Sequence, residues 1–171
     1  LETTRYGHGI RLELRRVCLS DMVWEAIEGV NSRVEALGGE IVADVISECQ
    51  VGADEEAFRI VISNLLDNAI KYGGDPPRIN VRLGLKSDWA VVEVSDNGAG
   101  IPEDDLSLVF QRFFRSGDEL SRTTQGTGLG LYLVEQIVRA HRGTVEVTAT
   151  GPDGTTFRVE IPGAELKESG P

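Results

Sequence analysis

Between an alternating stretch that ends at Asp96 and a helical pattern that opens near Thr127 lie residues 97–126, rich in glycine and polar side chains. They hold one short apolar piece, Leu106–Phe114. A loop of this length without regular structure is uncommon inside a compact domain and belongs to lids or disordered segments. The fold must therefore be closed by elements on both sides of this loop.

Those elements are legible by period. Residues 10–19 read as an extended segment. Ser20 is a plausible N-cap, after which Val23, Ala26, Ile27, Val30, Val34 and Leu37 recur at helical spacing until Gly38 and Gly39 stop the helix. Residues 40–46 read as a strand, and Asp54 can cap a second helix running to about Tyr72. Gly73, Gly74, Asp75, Pro76 and Pro77 then break the chain. Strands are expected at 78–86 and 89–96, and a third helix from about Thr127 to His141. Two alternating strands end the chain, with Val145, Val147 and Ala149 on one face of the first and Phe157, Val159 and Ile161 on one face of the second. Gly151-Pro152-Asp153-Gly154 joins them as a hairpin. The order β-α-β-α-β-β-loop-α-β-β predicts a mixed sheet with helices on one side, an α+β two-layer sandwich.

A chain of 171 residues suits one domain with a single core. No apolar run approaches the roughly 18 residues that span a bilayer, and the first residues lack the apolar stretch of a signal peptide. The first residue is Leu1 rather than Met, so a piece of a longer protein is expected. The net charge of -11 argues against duplex DNA or an anionic membrane as a direct partner. Cys18 and Cys49 form no C-x-x-C pair, which points to a reducing compartment.

Three constellations carry chemistry. On the second helix Phe58, Val61, Ile62, Leu65, Leu66 and Ala69 form an apolar face, with Asn64, Asn68 and Lys71 together on the other side and Tyr72 at the edge. That stripe is either a solvated surface or a ligand-facing one, where amide oxygens meet a hard cation and a lysine meets a phosphate. In the second, Ala90, Val92, Val94 and Asp96 share a strand face, so a carboxylate ends an apolar row. Asp96-Asn97-Gly98-Ala99-Gly100-Ile101 is either a plain turn or a site where Asp96 accepts from a ligand amino group while the glycines let the backbone pass close beneath. In the third, Gly126-Thr127-Gly128-Leu129-Gly130-Leu131 opens a helix, where free N–H groups and the dipole favour an anion. It is neither the dinucleotide fingerprint, which needs glycine where Leu131 stands, nor a P-loop. Glycines at such a place also serve simply as hinges.

Taken in order, the constellations resemble the nucleotide-binding boxes of the sensor histidine kinase catalytic domain, within the gyrase, heat-shock chaperone, histidine kinase and mismatch-repair ATPase superfamily. Asn64 to Tyr72 resembles the asparagine box, and Asp96 to Gly100 the first glycine box. Phe110-Gln111-Arg112-Phe113-Phe114-Arg115 resembles the phenylalanine box, Gly126 to Leu131 the second glycine box, and Gly154-Thr155-Thr156-Phe157 the glycine-threonine motif. The match covers roughly residues 10–162. It implies a Bergerat-type fold, with a mixed, mostly antiparallel sheet and three main helices on one face. Residues 1–9 would be linker, 102–126 the ATP lid, and 163–171 a frayed tail.

The resemblance also implies roles, with ATP and Mg²⁺ as cofactors. Asn68 would bind Mg²⁺, with Asn64 supporting it near the phosphates. Lys71 would contact phosphate, and Tyr72 would lie against adenine or ribose. Asp96 would accept from the adenine amino group, with Gly98 and Gly100 beneath it and Ile101 packing on the base. Arg112 and Arg115 would reach the outer phosphates. Gly126, Thr127, Gly128, Leu129, Gly130 and Leu131 would let the lid close and offer backbone amides. Thr155 or Thr156 would hold a water beside the base. Phe110, Phe113 and Phe114 serve as lid anchors or as plain core. Trp24 and Trp89 read as packing, Arg122 as solvated, and His141 as the C-terminus of its helix.

In this family the phosphoacceptor histidine lies upstream on a dimeric helical hairpin. The chain holds only His8 and His141, and His8 stands between Gly7 and Gly9, a poor helical context. The expected partners are that upstream dimerisation domain and the receiver domain of a response regulator, with no nucleic acid and no direct membrane contact. The piece alone is expected to be monomeric, cytoplasmic, and unable to phosphorylate itself, although the parent protein is open to membrane anchoring. ATPase branches of the superfamily carry a glutamate where Asn64 stands, so hydrolysis is expected to be slow. An anti-sigma-type serine kinase and a non-catalytic ATP-sensing module remain the alternatives.

Overall fold

A computed structural model of the chain describes residues 2–5, 11–115 and 127–163. The elements run β1 (Glu2–Arg5), β2 (Arg11–Cys18), α1 (Leu19–Ala36), β3 (Glu40–Val45), β4 (Gln50–Ala53), α2 (Glu55–Tyr72), β5 (Arg78–Lys86), β6 (Trp89–Ser95), a 3-10 turn (Glu103–Asp105), α3 (Gly130–Ala140), β7 (Thr144–Gly151) and β8 (Gly154–Pro162).

The main sheet has the order β3-β5-β6-β8-β7. β3 and β5 are parallel, with Ile41 beside Ile79, and the other neighbours are antiparallel. The apolar rows of these strands, including Ile79, Val81, Leu83, Ala90, Val92, Val94, Phe157, Val159 and Ile161, form the buried floor. The helices cover it with residues at three- and four-residue spacing: Leu19, Met22, Val23 and Ile27 of α1, Phe58, Val61, Ile62, Leu65, Leu66 and Ala69 of α2, and Val134, Ile137 and Val138 of α3. Each of the larger side chains among them contributes about 1.5–3 kcal/mol by leaving water. This is the expected α+β sandwich.

A second, small sheet of order β1-β2-β4 stands apart from that pattern. Within the segment read as linker, Glu2–Arg5 forms β1 and pairs antiparallel with β2. β4 was not foreseen, because its four residues include Gly52 and carry no period long enough to read. It pairs antiparallel with β2, Val17 opposite Val51.

The helix starts divide into one agreement and two corrections. Asp54 caps α2 as expected, its Oδ1 accepting from Ala57 N at 3.0 Å. Ser20 is not a cap: α1 begins at Leu19, and the buried Ser20 hydroxyl accepts from Cys49 N at 3.1 Å. A long-range partner has taken the oxygen that local geometry would have used. α3 begins at Gly130 rather than Thr127, since Gly128 sits at φ +69, outside the helical region.

One strand face also departs from expectation. The register of β7 against β8 shifts between Val147 and Ala149, so that Val147 opposes Phe157, Ala149 opposes Thr156 and Thr150 opposes Thr155. A bulge changes which side chain faces in. Ala149 is therefore exposed, and Thr150 takes the inner face beside the buried Thr155.

Candidate functional site

Two adjoining pockets open between α2, the end of β6, the residues after it and the start of α3. Both are lined by Asn68, Tyr72, Val109, Phe114 and Leu131. The first adds Asp96, Gly100, Ile101, Arg115, Thr155 and Phe157. The second adds Asn64, Lys71, Thr127, Gly128 and Gly130.

Asp96 continues the buried row of β6 past the strand end. Its Oδ1 accepts from Gly98 N at 2.8 Å and from Thr155 N at 3.3 Å, and its own N–H donates to Thr155 O at 2.9 Å. Burial pushes the carboxyl above its usual range, and the two backbone donors oppose that shift. Three fixed backbone bonds thus aim a partly desolvated acceptor group into a pocket whose lining includes the apolar Ile101, Val109, Leu131 and Phe157. Gly98 lies beneath, where an added Cβ would overlap Tyr72 O. That contact brings the end of α2 against the turn after β6.

Asn97, to which the sequence assigned no role, ties the same two elements. Its Oδ1 accepts from Gly74 N at 2.9 Å and Arg78 N at 2.8 Å, and its Nδ2 donates to Pro76 O at 3.1 Å. The break after α2 is thereby folded back onto the turn that carries Asp96.

The polar stripe of α2 runs along the second pocket. Asn64 Nδ2 donates to Ile60 O at 2.8 Å, and its Oδ1 is the atom nearest to where a Cβ on Gly130 would stand. Glycine at 130 therefore lets the start of α3 approach the stripe. Leu129 at the start of α3 makes no side-chain cap, and the first turn of α3, with its N–H groups, lies beside that stripe. Lys71 Nζ meets Tyr72 OH at 3.0 Å and lies 4.7 Å from that ring's centroid.

The phenylalanines divide. Phe110 packs edge-on against Phe157, with ring centroids 6.3 Å apart. Phe114 lines both pockets, and Phe113, 60% exposed, stacks under the Arg112 guanidinium at 4.8 Å. Arg112 is not among the residues lining the two pockets, whereas Arg115 lines the first. Leu129 lines neither. Thr155 and Thr156 part company: Thr155 is buried at the pocket wall, and Thr156 faces the other side of the sheet, 2.8 Å from Ser95 Oγ. Gly126, Arg122 and His8 lie outside the described residues. His141 ends α3 as its C-cap. Trp24 and Trp89, read as packing, are 44% and 37% exposed.

In the sequence, Val109 and Thr150 carry no sign of belonging to this region, and Asn97 and Phe157 stand within quoted motifs without a role of their own. Phe157 and Val109 read as ordinary apolar residues, and nothing local says which apolar residues border an opening.

Known proteins share this sequence family and this fold. Residues 53–165 match the family model for the histidine kinase-, DNA gyrase B-, and HSP90-like ATPase. The chain is 33% identical over 165 residues to the adaptive-response sensory kinase SasA of Synechococcus elongatus, covering 95% of this chain and 42% of that protein. It superimposes on the mycobacterial sensor histidine kinase MprB with TM-score 0.78 and 32% identity, covering 89% of this chain and 100% of that structure. Full-length ShkA, solved in complex with AMPPNP, matches with TM-score 0.80 and 25% identity over 92% of this chain and 32% of that one. The chain spans less than half the length of the curated relative SasA. With a matching family model over most of its length and the same fold as sensor histidine kinases, the chain belongs to the histidine kinase-, DNA gyrase B- and HSP90-like ATPase family, as the ATP-binding catalytic domain of a sensor histidine kinase.

Proposed function

We propose that this domain positions Mg-ATP for transfer of the γ-phosphoryl group to a histidine on an upstream dimerisation hairpin of a longer protein. In that step the bond between the γ-phosphorus and the β–γ bridging oxygen breaks, a bond to an imidazole nitrogen forms, and ADP leaves. The phosphoryl group would then pass to an aspartate of a response regulator receiver domain. The proposal places the domain in the cytoplasm, where ATP is at hand.

The observation that carries this reading is the pairing of the two pockets. One offers a fixed carboxylate beside the apolar Ile101, Val109, Leu131 and Phe157, which suits a heterocycle bearing an amino group. The other offers amide oxygens, an ammonium group and the N-terminal turn of a helix, which suit a polyphosphate. In this reading Asp96 accepts from the adenine amino group, Ile101 packs on the base and Tyr72 lies against adenine or ribose. Thr155, at the pocket wall, is the better placed of the two threonines to hold a water there. Lys71 and the amides near Gly128 and Gly130 hold phosphate, and Arg115, which lines the base pocket here, would reach the outer phosphates by turning toward the second pocket. Arg112 would reach them only after leaving the Phe113 ring.

The donor set also fits Mg²⁺ arriving with the nucleotide. No group of three or more His, Cys, Asp or Glu able to hold a metal occurs among the described residues. Mg²⁺ commonly takes one or two protein oxygens and completes its shell with phosphates and water. Asn68 would supply the amide oxygen, with Asn64 one turn away. When bound, the metal neutralises charge building on the phosphates. The chain's own residues bind and orient the substrate, and the acceptor comes from elsewhere.

The test is calorimetric titration with ATP and GTP, with and without Mg²⁺, on this domain and on Asp96→Asn. Binding of ATP but not GTP, dependence on Mg²⁺, and loss in Asp96→Asn are expected. Absence of ATP binding by the unmodified domain in the presence of Mg²⁺ would overturn the proposal.

A further inference from the structure

The bulge in β7 has a consequence at the first pocket. Without the extra residue between Val147 and Ala149, Ala149 would stand opposite Thr155. With it, Thr150 does. Bulges often re-aim a side chain beside a site, and here the residue turned inward carries a hydroxyl. That hydroxyl accepts from Ile101 N at 2.6 Å and lies 3.4 Å from Thr155 Oγ1. Thr155 N in turn donates to Asp96 Oδ1. One polar path thus runs from the main chain of Ile101 to the carboxylate of Asp96, and both residues line the first pocket.

The backbone around this path is pressed equally close. Gly100 has φ +81, and an added Cβ there would overlap Gly151 O. Gly100 and Ile101 therefore rest on the end of the β7–β8 hairpin, held there by the Thr150 side chain.

We propose that Thr150 is a positioning residue for the nucleobase half of the site. It touches no substrate itself. Its hydroxyl sets where Ile101 stands relative to Asp96, which fixes the gap into which a planar base must slide. The inference rests on the reading that this pocket takes the adenine of ATP.

Thr150→Val keeps the shape and removes the acceptor, leaving the Ile101 N–H without its partner. Thr150→Ser keeps the acceptor. The experiment measures amide hydrogen exchange at Ile101, affinity for ATP and ADP, and melting temperature in the three proteins. Thr150→Val is expected to lose protection at Ile101 and to bind ATP and ADP about tenfold more weakly, by the same factor for both, because the base is common to them. Its melting temperature should stay within a few degrees of the parent. Thr150→Ser should recover both protection and affinity. Unchanged ATP affinity in Thr150→Val, or an equal loss in Thr150→Ser, overturns the inference. Should the parent domain fail to bind ATP, the functional reading falls with it, while exchange at Ile101 still reports whether Thr150 holds that segment.

Discussion

The backbone N–H of Phe113 donates to the carbonyl oxygen of Gly128 at 2.9 Å. Fifteen positions apart in the chain, the two residues tie the phenylalanine-rich stretch to the turn before α3. Gly128 makes this possible in two ways. It adopts φ +69, and it has no Cβ where one would lie 2.8 Å from Phe113 C and Phe114 O. Gly128→Ala is expected to cost about 1–3 kcal/mol of local strain, which the chain can relieve by giving up the Phe113–Gly128 contact beside the second pocket. The Kd for ATP should rise about tenfold, with a far smaller change in melting temperature. A melting temperature that falls steeply while ATP binding is untouched would show that the contact serves the core instead.

Asp96→Asn separates stability from binding. The carboxyl's folded pKa lies above its unfolded value because burial disfavours the charge. The ionised group therefore opposes folding at neutral pH, and that cost fades as pH falls through the raised pKa. An amide keeps the acceptor for Gly98 N and Thr155 N without the charge. The variant should melt at the same temperature as the parent or higher, yet bind no ATP. Differential scanning calorimetry beside titration decides the matter; retained ATP binding counts against Asp96 as the base contact.

His141 should give the fold a pH dependence. Only 5% exposed, it accepts from Asp54 N through Nε2 at 3.0 Å, its Nδ1 lies 2.8 Å from Ile137 O, and its ring meets Phe58 edge-on at 5.6 Å. Accepting at Nε2 and donating at Nδ1 requires the neutral ring. Burial lowers its pKa from 6.5, with the Ile137 carbonyl and Asp54 opposing. The unfolded chain thus binds the proton more readily. Stability from this group is full above about pH 6.5 and declines as pH falls toward the folded pKa. Melting temperature followed from pH 8 to pH 5.5, as roughly spans that range, should fall at the acid end in the parent and fall less in His141→Gln. Parallel curves for the two proteins would rule the histidine out as the cause.

Asn97→Ala removes three hydrogen bonds to residues 74–78. A loss of about 1–3 kcal/mol is expected, since water reaches part of this turn and replaces some of what is lost. Asn97→Asp keeps the acceptor for Gly74 and Arg78 but loses the donor to Pro76 O, so its cost should fall between. Denaturant unfolding ranks the three proteins, and any other order rejects the account.

Much of this was readable in the chain. The apolar period of α2, the Asp54 cap and the alternation of β5, β6 and β8 follow from contacts within a few residues, which is the range over which sequence periodicity acts. The pocket residues of α2 and of the turn at Asp96 were also visible, because polar groups interrupting an apolar pattern stand out. β4 was not visible: four residues including a glycine form a strand only because β2 is there to pair with. Ser20 left its capping role for a bond to Cys49 N, a partner 29 residues away.

The bulge in β7 shows the division most clearly. The sequence by itself determined that 144–151 and 154–162 form a hairpin of alternating strands, since side-chain period and turn residues are local properties. It did not determine which face each residue of the first strand would take beyond Val147, because alternation presumes an unbroken register. Only the pairing with β8 and the approach of Gly100 to Gly151 decided that Thr150, not Ala149, faces inward. Register is a property of two strands together, and a one-residue shift exchanges the faces.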